Sequence, residues 1–409
     1  MKIVIFCNSD PFHPHSGYQI PIYYRLKHYH FDECLVIINC QSDNLSEENK
    51  IFFNKEIKVI KADIFKPKNL FKSFLSFLLF KVPFFATKNV NIKTVNELDK
   101  KLQKFKPDVI YFEGHLFGTM HKYFKNYSYK IISINDSLAL AYKEEFRNKI
   151  NKNIFIRIFK KMNFSRILTY EKENYTKFDS CQVVSEYDAT FLNKLNNNIN
   201  VNVHNIGVDS NYFKAKSEIV INQETFLIVG NLVGGNYTYT KLFVKNVWVH
   251  FIKRNPSYKL KIVSRTIPNS TTSDYFKKLN IEILSNVNDL VSCYSGCFAV
   301  ISPVLKSCGM QNKVLEGMSM SKPVIGFNES FYGINEGVNM KNYIGVDNFK
   351  HFVSVLQKIV DKEINLTKIK DSAHKMILDK YSWEELIMKQ YSQNKFLFSK
   401  SNYVKNQNR

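Results

Sequence analysis

The stretch SPVLKSCGMQNKVLEGMSMSKPVIGF, residues 302–327, carries a glycine, a polar trio, a lysine and a glutamate before a methionine-rich run that ends at Lys322-Pro323. A plain core helix has no need of that opening. The overlapping run CFAVISPV (297–304) is continuously apolar and of strand length, and the pattern after it predicts a helix starting near Met310. In open α/β sheets, ligands bind beyond the carboxyl ends of strands. A helix N-terminus placed there offers free N–H groups and the positive end of its dipole. Gly309 lets a bulky anion approach the backbone. Gly309, Met310, Gln311 and Asn312 are therefore candidate main-chain phosphate ligands.

Lys313 and Glu316 are three residues apart and share one helix face. Lys313 can reach the phosphate or pair with Glu316. Glu316 lies deeper along the helix, where a carboxylate can accept two hydrogen bonds from a ribose diol. Phosphate at the helix tip and ribose further along fit a nucleoside diphosphate. The alternative is an ordinary surface ion pair, worth about 0.2–0.5 kcal/mol.

Outward from this stretch the same signature repeats. TFLIVGN (225–231), YKLKIVS (258–264) and IEILSNV (281–287) precede it, and KPVIGF (322–327) and NYIGV (342–346) close the series. An earlier series comprises KIVIF (2–6), CLVIIN (34–39), IKVIKA (57–62), DVIYFE (108–113), YKIISIN (129–135) and SCQVVS (180–185). These are unbroken apolar runs, as parallel strands buried on both faces are. Amphipathic segments lie between several of them. TVNELDKKLQKF (94–105) places Val95, Leu98, Leu102 and Phe105 at helical spacing, and FVKNVWVHFIKRNP (243–256) predicts a helix stopped at Pro256. Two successive βαβ series predict an α/β chain of two Rossmann-like, doubly wound domains, divided near 205–223.

Composition narrows the classes. Of 409 residues, 44% are hydrophobic, enough for sizeable cores. The formal charge of +22 favours anionic partners: nucleic acid, an anionic membrane or phosphorylated substrates. A general richness in lysine accounts for part of that charge. The seven cysteines (7, 34, 40, 181, 293, 297 and 308) form no CxxC pair and no regular framework, which predicts reduced thiols in the cytoplasm. Cys293 and Cys297 are four apart, but no second pair completes a zinc site. MKIVIFCNSD is too short in its apolar run for a signal peptide and reads as a first buried strand. LFKSFLSFLLFKVPFF (70–85) is interrupted by Lys72 and Lys81 and broken by Pro83, short of the about 20 apolar residues that span a bilayer.

GMQNKVLEGMSMSKPVIGF resembles the nucleotide-sugar motif of family 4 (group 1) glycosyltransferases of the GT-B fold, and is most similar to bacterial surface-polysaccharide members. The resemblance extends along the chain. ILTYEKENYTKFDSCQVVSEYDATFL (167–192) is similar to the end of that family's N-terminal domain. HNIGVDSNYF (204–213) resembles its linker, with Ile206 at an unusual position before Gly207. FLIVGNLVGGNYT (226–238) resembles the first strand of the C-terminal domain, and KYSWEEL (380–386) the start of the last helix.

The resemblance implies two domains facing a cleft. Residues 1–205 would bind the acceptor and 206–380 the nucleotide sugar, with a helix over 381–398 packing back on the first domain and 399–409 a disordered tail. It implies transfer of a sugar from a UDP- or GDP-type donor, used as a substrate, with no cofactor and no metal. Glu316 would bind the ribose, the backbone of Gly309 to Asn312 the diphosphate, and Lys313 would lie beside it. Gly17, in the loop after the first strand, would approach the phosphates from the other domain. Arg265, after KLKIVS, stands where a basic residue of the family often meets the diphosphate, since a guanidinium bridges two phosphate oxygens. His115 would stand near the reacting sugar and Asp136 would bind an acceptor hydroxyl. The competing reading of His115 and Asp136 is a strand-end cap, and that of Arg265 a surface cation.

Two departures stand out. Eight residues before Glu316 is Cys308, where many members carry a first glutamate, and the turn in GNLVGGNYT lacks the phosphate-binding arginine common there, Lys241 being the nearest cation. No Asp-x-Asp motif falls at a strand end, so helix dipole and cations would stabilise the leaving diphosphate. The resemblance implies retention at the anomeric carbon and, without an evident carboxylate nucleophile, departure and attack on one face.

His13, His15, His28 and His30 lack a carboxylate or cysteine cluster at ligand spacing and read as loop and surface histidines. Residues 66–81 mix Phe and Leu with Lys as interfacial helices do, the competing reading being a buried helix with lysines pointing out. The expected partners are a nucleotide sugar, a lipid-linked or glycan acceptor of an O-antigen or capsule, and the inner leaflet of the cytoplasmic membrane. No nucleic-acid recognition motif is present. A sugar epimerase or phosphorylase of the same fold would need residues not evident here. A non-catalytic scaffold is the remaining alternative.

Overall fold

Unbroken runs of Ile, Val and Phe stay out of water only in strands covered on both faces. The structure, a computed structural model, describes residues 1–14, 17–41, 45–66, 69–127, 129–146, 154–214, 220–306 and 310–407. It divides into two units, Met1–His204 with Ile387–Arg409, and Asn205–Leu386.

In the first unit the strands are Lys2–Cys7 (β1), Glu33–Asn39 (β2), Ser46–Phe52 (β3), Lys55–Ala62 (β4), Phe65–Lys66 (β5), Asn89–Val90 (β6), Val109–Glu113 (β7), Lys130–Asn135 (β8), Ser180–Val183 (β9) and Val201–Val203 (β10). Among the described residues eight of them form a sheet in the order β10-β9-β8-β7-β1-β2-β4-β3. Its pairs are parallel except β3–β4, which is antiparallel, and β5–β6 is a separate antiparallel pair. The helices are Gln19–His28 (α1), Leu70–Phe80 (α2), Ile92–Phe105 (α3), Leu138–Phe146 (α4), Ile154–Asn174 (α5) and Glu186–Leu195 (α6). Val95, Leu98 and Leu102 of α3 join Phe6, Phe112 and Ile132 in one core.

The second unit has Thr225–Val229 (β11), Lys259–Val263 (β12), Ile281–Leu284 (β13), Ala299–Ser302 (β14), Val324–Phe327 (β15) and Ile344–Val346 (β16), all parallel in the order β13-β12-β11-β14-β15-β16. Its helices are Gly234–Phe243 (α7), Val249–Arg254 (α8), Ser270–Lys277 (α9), Leu290–Gly296 (α10), Asn312–Ser319 (α11), Phe349–Val360 (α12) and Leu366–Lys380 (α13). Chain order reverses between β1 and β7 in the first sheet and between β11 and β14 in the second. Such switch points open a crevice at the carboxyl ends of the strands.

The last helix, Trp383–Gln407 (α14), starts in the second unit and belongs to the first from Ile387 onward. There Asn394 Nδ2 donates to Tyr111 Oη at 2.7 Å and Gln390 Nε2 to Gln182 Oε1 at 2.9 Å. Arg25 pairs with Glu113, its guanidinium 4.2 Å from the Tyr111 ring centre, and its Nε reaches Gln390. A polar network with both charges buried fixes this helix against the sheet.

Three expectations are corrected, and one strand adds to them. The tail expected to be disordered from 399 is helical to Gln407, because 399–407 contains neither Gly nor Pro and extending a formed helix is easy. The helix expected over 243–256 begins at Gly234 and passes through one π turn, Val244–Trp248, before α8; the Gly234-Gly235 pair reads as a loop but starts a helix. The motif helix starts at Asn312, not Met310. The edge strand β3, SEENKIF, is mostly polar and exposed, so it lacks the apolar run that marks the central strands.

Candidate functional site

In the second unit the apolar run of β14 ends at Ser302, and α11 follows at the β11–β14 switch point. Gly317 lets this helix lie close to the sheet: a Cβ there would stand 3.1 Å from Val324 Cγ2 and 3.2 Å from Val300 Cγ2. The first helical bond runs from Val314 N to Gln311 O at 2.9 Å, and the Gln311 side chain does not cap the helix. The N–H groups of Asn312 and Lys313 stand ahead of that bond, where an anion is favoured. Met310 is buried and leaves no room for a Cβ on Gly333, so its side chain anchors the turn. Gly309 and Cys308 lie outside the described residues.

Lys313 and Glu316 take separate partners. Lys313 Nζ lies 3.3 Å from Asn236 Oδ1, and a Cβ on Gly230 would stand 3.7 Å from the same Nζ. The lysine thus reaches across to the turn after β11 and the first turn of α7. Burial lowers its pKa to about 8, against the opposing effect of the Glu316 charge. Glu316 Oε2 accepts from Tyr294 Oη at 2.7 Å. Burial raises the glutamate's pKa, while the tyrosine hydrogen bond and Lys313 act to lower it. A cation and an anion are held apart along one helix face, each at the end of a different neighbour.

Ser264 joins two loops here. Its Oγ accepts from Leu232 N at 2.9 Å, and Thr266 N donates to Asn231 Oδ1 at 3.0 Å. The turn after β11 and the bend carrying Arg265 are therefore bonded together. Arg265 itself is exposed. Lys241, the cation nearest the turn by sequence, has its Nζ 5.3 Å from the Tyr237 ring centre.

In the first unit His115 follows β7 at the start of a 3-10 segment, His115–Lys122. Its Nδ1 bonds Tyr175 Oη at 2.8 Å, and its carbonyl accepts from Tyr170 Oη at 2.7 Å. Nε2 is buried and has no hydrogen-bond partner among the described residues. Burial pushes the ring pKa down to about 3, so the imidazole is neutral at pH 7.

Asp136 follows β8, after Asn135 at φ 59°. Its carboxyl titrates near 7, raised by burial and then by the charge of Asp188. Asp188 Oδ1 accepts from Ser137 N at 2.8 Å. Glu171 Oε1 accepts from Leu138 N at 2.8 Å and Oε2 from Ser137 Oγ at 2.7 Å. Burial raises Glu171 to about 7 as well. Asp188 and Glu171 hold the N-terminus of α4, and Asp136 is not committed to that task. Tyr18, half-exposed as a residue, has its pKa raised by desolvation and by the charges of Asp136 and Asp188, so it is within electrostatic reach of Asp136. Gly17, its neighbour, is exposed, and a Cβ there meets nothing within 4 Å.

The residues expected from the sequence thus fall into two groups, Met310–Lys313 and Glu316 with Arg265 in one unit, and Gly17, His115 and Asp136 in the other. Tyr294, Asn236, Tyr175, Asp188 and Glu171 are their hydrogen-bonding or electrostatic neighbours, which the sequence did not single out. Only the capping pattern around Ser185-Glu186-Tyr187-Asp188 offered a local signal. Among the described residues no group of three or more His, Cys, Asp or Glu is placed to hold a metal ion.

Residues 223–362 match the family model described as glycosyl transferases group 1. Solved structures share the fold over almost the whole chain. Sucrose-phosphate synthase from Thermosynechococcus elongatus superposes with TM-score 0.72 at 12% identity, covering 97% of this chain and 99% of that one. Anabaena Alr3699/HepE in complex with UDP gives 0.66 at 11% identity, covering 97% and 100%. A glycosyltransferase from Rickettsia africae gives 0.59 at 13% identity, covering 98% of each. No curated protein matches the chain in sequence. The architecture is that of GT-B proteins: an α/β chain of two parallel-sheet, Rossmann-like units.

Proposed function

We propose that this chain is a glycosyltransferase that moves a sugar from a nucleoside-diphosphate donor, of UDP or GDP type, to a glycan acceptor. The observation that carries the reading is the arrangement of Lys313 and Glu316. One helix at the switch point presents its N-terminal amides and an ammonium at its tip and a carboxylate one turn on. Diphosphate and ribose need those groups in that order. The group 1 glycosyltransferase match over 223–362 spans this helix, and two similar structures hold UDP or UDP-2-fluoro glucose.

In this reading the donor C1–O bond breaks with its electron pair leaving on the diphosphate. Lys313, the α11 amides and Arg265 stabilise that charge without a metal. The acceptor oxygen bonds C1 on the departing face, and its proton passes to the leaving phosphate oxygen, so configuration is retained. Neutral His115, with its unpartnered Nε2, hydrogen-bonds the transferred sugar. Asp136 orients the acceptor hydroxyl, and Gly17 leaves backbone room for the phosphates. The acceptor is a lipid-linked glycan of a bacterial O-antigen or capsule, reached from the cytoplasmic side.

Calorimetry and thermal shift with UDP, GDP, CMP and ADP, on wild type and Glu316→Ala, test the donor site. Binding of one diphosphate, lost on substitution, is expected. No binding by any of them would sink the reading in favour of a non-catalytic scaffold. NMR assignment of the product anomer tests retention separately.

A further inference from the structure

Helix α2 is inside out. Its buried stripe is Ser73, Ser76 and Phe77, while Leu70, Phe71, Phe74, Leu75, Leu78, Leu79 and Phe80 face outward. Leu70 is 79% exposed and Phe71 75%, whereas Phe77 is 0% exposed. A helix designed for water does the reverse, hiding its large apolar side chains and showing its serines. Contiguous apolar surface of this kind marks an interaction site.

The helix is firmly held in that orientation. Asn69 caps its start, accepting from Lys72 N at 2.8 Å, and Lys81 ends it in the left-handed region before Pro83. The Phe77 ring packs 4.9 Å from Phe159 of α5, and the Arg166 guanidinium lies 3.8 Å from the Phe77 ring centre while bonding the Phe77 carbonyl. The first turns of α5 extend the same character, with Ile154 and Ile158 exposed beside Arg157 and Lys161.

Charge decides the occupant. Between Asp63 and Glu97 the sequence has six lysines and no acidic residue, and α5 has none before Glu171. Lys72, Lys81, Arg157 and Lys161 are exposed around the apolar side chains. A protein partner of ordinary composition would meet unopposed cations. A second copy would bring cations against cations. An anionic lipid surface satisfies both halves, apolar side chains entering the acyl boundary and cations at the headgroups. Among the described residues no helix is long and apolar enough to cross a membrane. We infer that the α2–α5 face is a peripheral docking surface for an anionic bilayer. The inference does not rest on the glycosyltransferase reading.

The test is flotation of the full chain with phosphatidylglycerol-containing vesicles and with pure phosphatidylcholine vesicles, at low and high salt. Wild type should float with the anionic vesicles and weaken with salt. Phe71→Ser/Leu75→Ser/Leu79→Ser should lose at least about tenfold in partitioning, with far-UV circular dichroism unchanged. Lys72→Glu/Lys161→Glu, which leaves the apolar side chains intact, should lose preference for the anionic lipid and keeps the test decisive if the triple variant misfolds. Absence of flotation at low salt, indifference to lipid charge, or retention of binding by both variants overturns the inference. So does light scattering that shows a wild-type dimer dissolved by the serine variant, which would assign the face to a second copy. None of these readouts uses a nucleotide.

Discussion

Tyr294 donates its hydroxyl hydrogen to Glu316 Oε2 at 2.7 Å, from α10 across to α11. The phenol stabilises the carboxylate form and opposes the rise in pKa that burial causes. If Glu316 holds the ribose as proposed, Tyr294 acts through it as a positioning residue. Tyr294→Phe should leave the fold intact and weaken nucleoside-diphosphate binding about tenfold, the loss of one hydrogen bond to a charged group. The acid limb of affinity against pH should move to higher pH, since Glu316 then protonates more easily. Calorimetry across pH reads both effects, and an unmoved limb would detach the tyrosine from the carboxylate.

Lys313 titrates at about 8, lowered by burial. Its ammonium is present below that pH and lost above it, so diphosphate affinity should fall as pH rises through 8. Lys313→Met should bind more weakly at pH 7 and lose that alkaline decline. Stability of the unliganded protein runs the other way. Between about 8 and the lysine's ordinary value the unfolded chain holds the extra proton, so folding gains as pH rises there. Nucleotide titrations at pH 7 and pH 9 on both proteins check the sign.

Asp136, at about 7, is protonated in the folded chain where the unfolded chain is ionised. Its contribution to stability falls as pH rises from about 4 to 7. His115, held neutral down to about 3, contributes the opposite trend, losing stability as pH falls below its ordinary value. Glu171, also raised to about 7, adds to the first trend, so the informative quantity is the difference between Asp136→Asn and wild type. The variant should gain about 1 kcal/mol at pH 8 and nothing at pH 4, a shift of a few degrees in Tm. An equal gain at both pH values would remove the titration as its cause.

Arg25 and Glu113 are a buried ion pair beneath the returning helix. Removing one partner leaves a lone buried charge. Glu113→Ala should destabilise the chain by about 3–5 kcal/mol, while Arg25→Met with Glu113→Leu together should cost much less. Urea denaturation of the three proteins measures the contrast, and equal losses would mean that packing rather than charge is at stake.

The sequence made the central strands legible because burial on both faces forces unbroken apolar runs, as in β1, β7 and β14. It made α11 legible because the lysine and glutamate sit at helical spacing beside a strand end. Polar β3 escaped because an edge strand has one covered side, and Gly234-Gly235 disguised the start of α7. Tyr294 and Asn236 escaped for a different reason. Each meets the motif helix from another element, Asn236 being 77 residues from Lys313 and Tyr294 22 from Glu316. Nothing in local spacing reports such contacts. The outward apolar face of α2 was half legible: the mixture of Phe, Leu and Lys was plain, but not which side the serines take.

Two glycines separate packing from proposed function. At Gly326 an added Cβ would stand 2.7 Å from the Ser302 carbonyl oxygen, a backbone atom that cannot step aside. Gly326→Ala should therefore destabilise the protein by about 1–3 kcal/mol through overpacking. At Gly17 the same atom meets nothing within 4 Å, and the position is exposed. Among the described residues nothing gives a packing reason for a glycine there. Gly17→Ala should keep wild-type Tm, yet lose sugar transfer if the loop must admit a diphosphate close to its backbone. Thermal denaturation and donor turnover on the two variants should show opposite patterns. Full activity in Gly17→Ala would mean that the loop after β1 does not approach the donor.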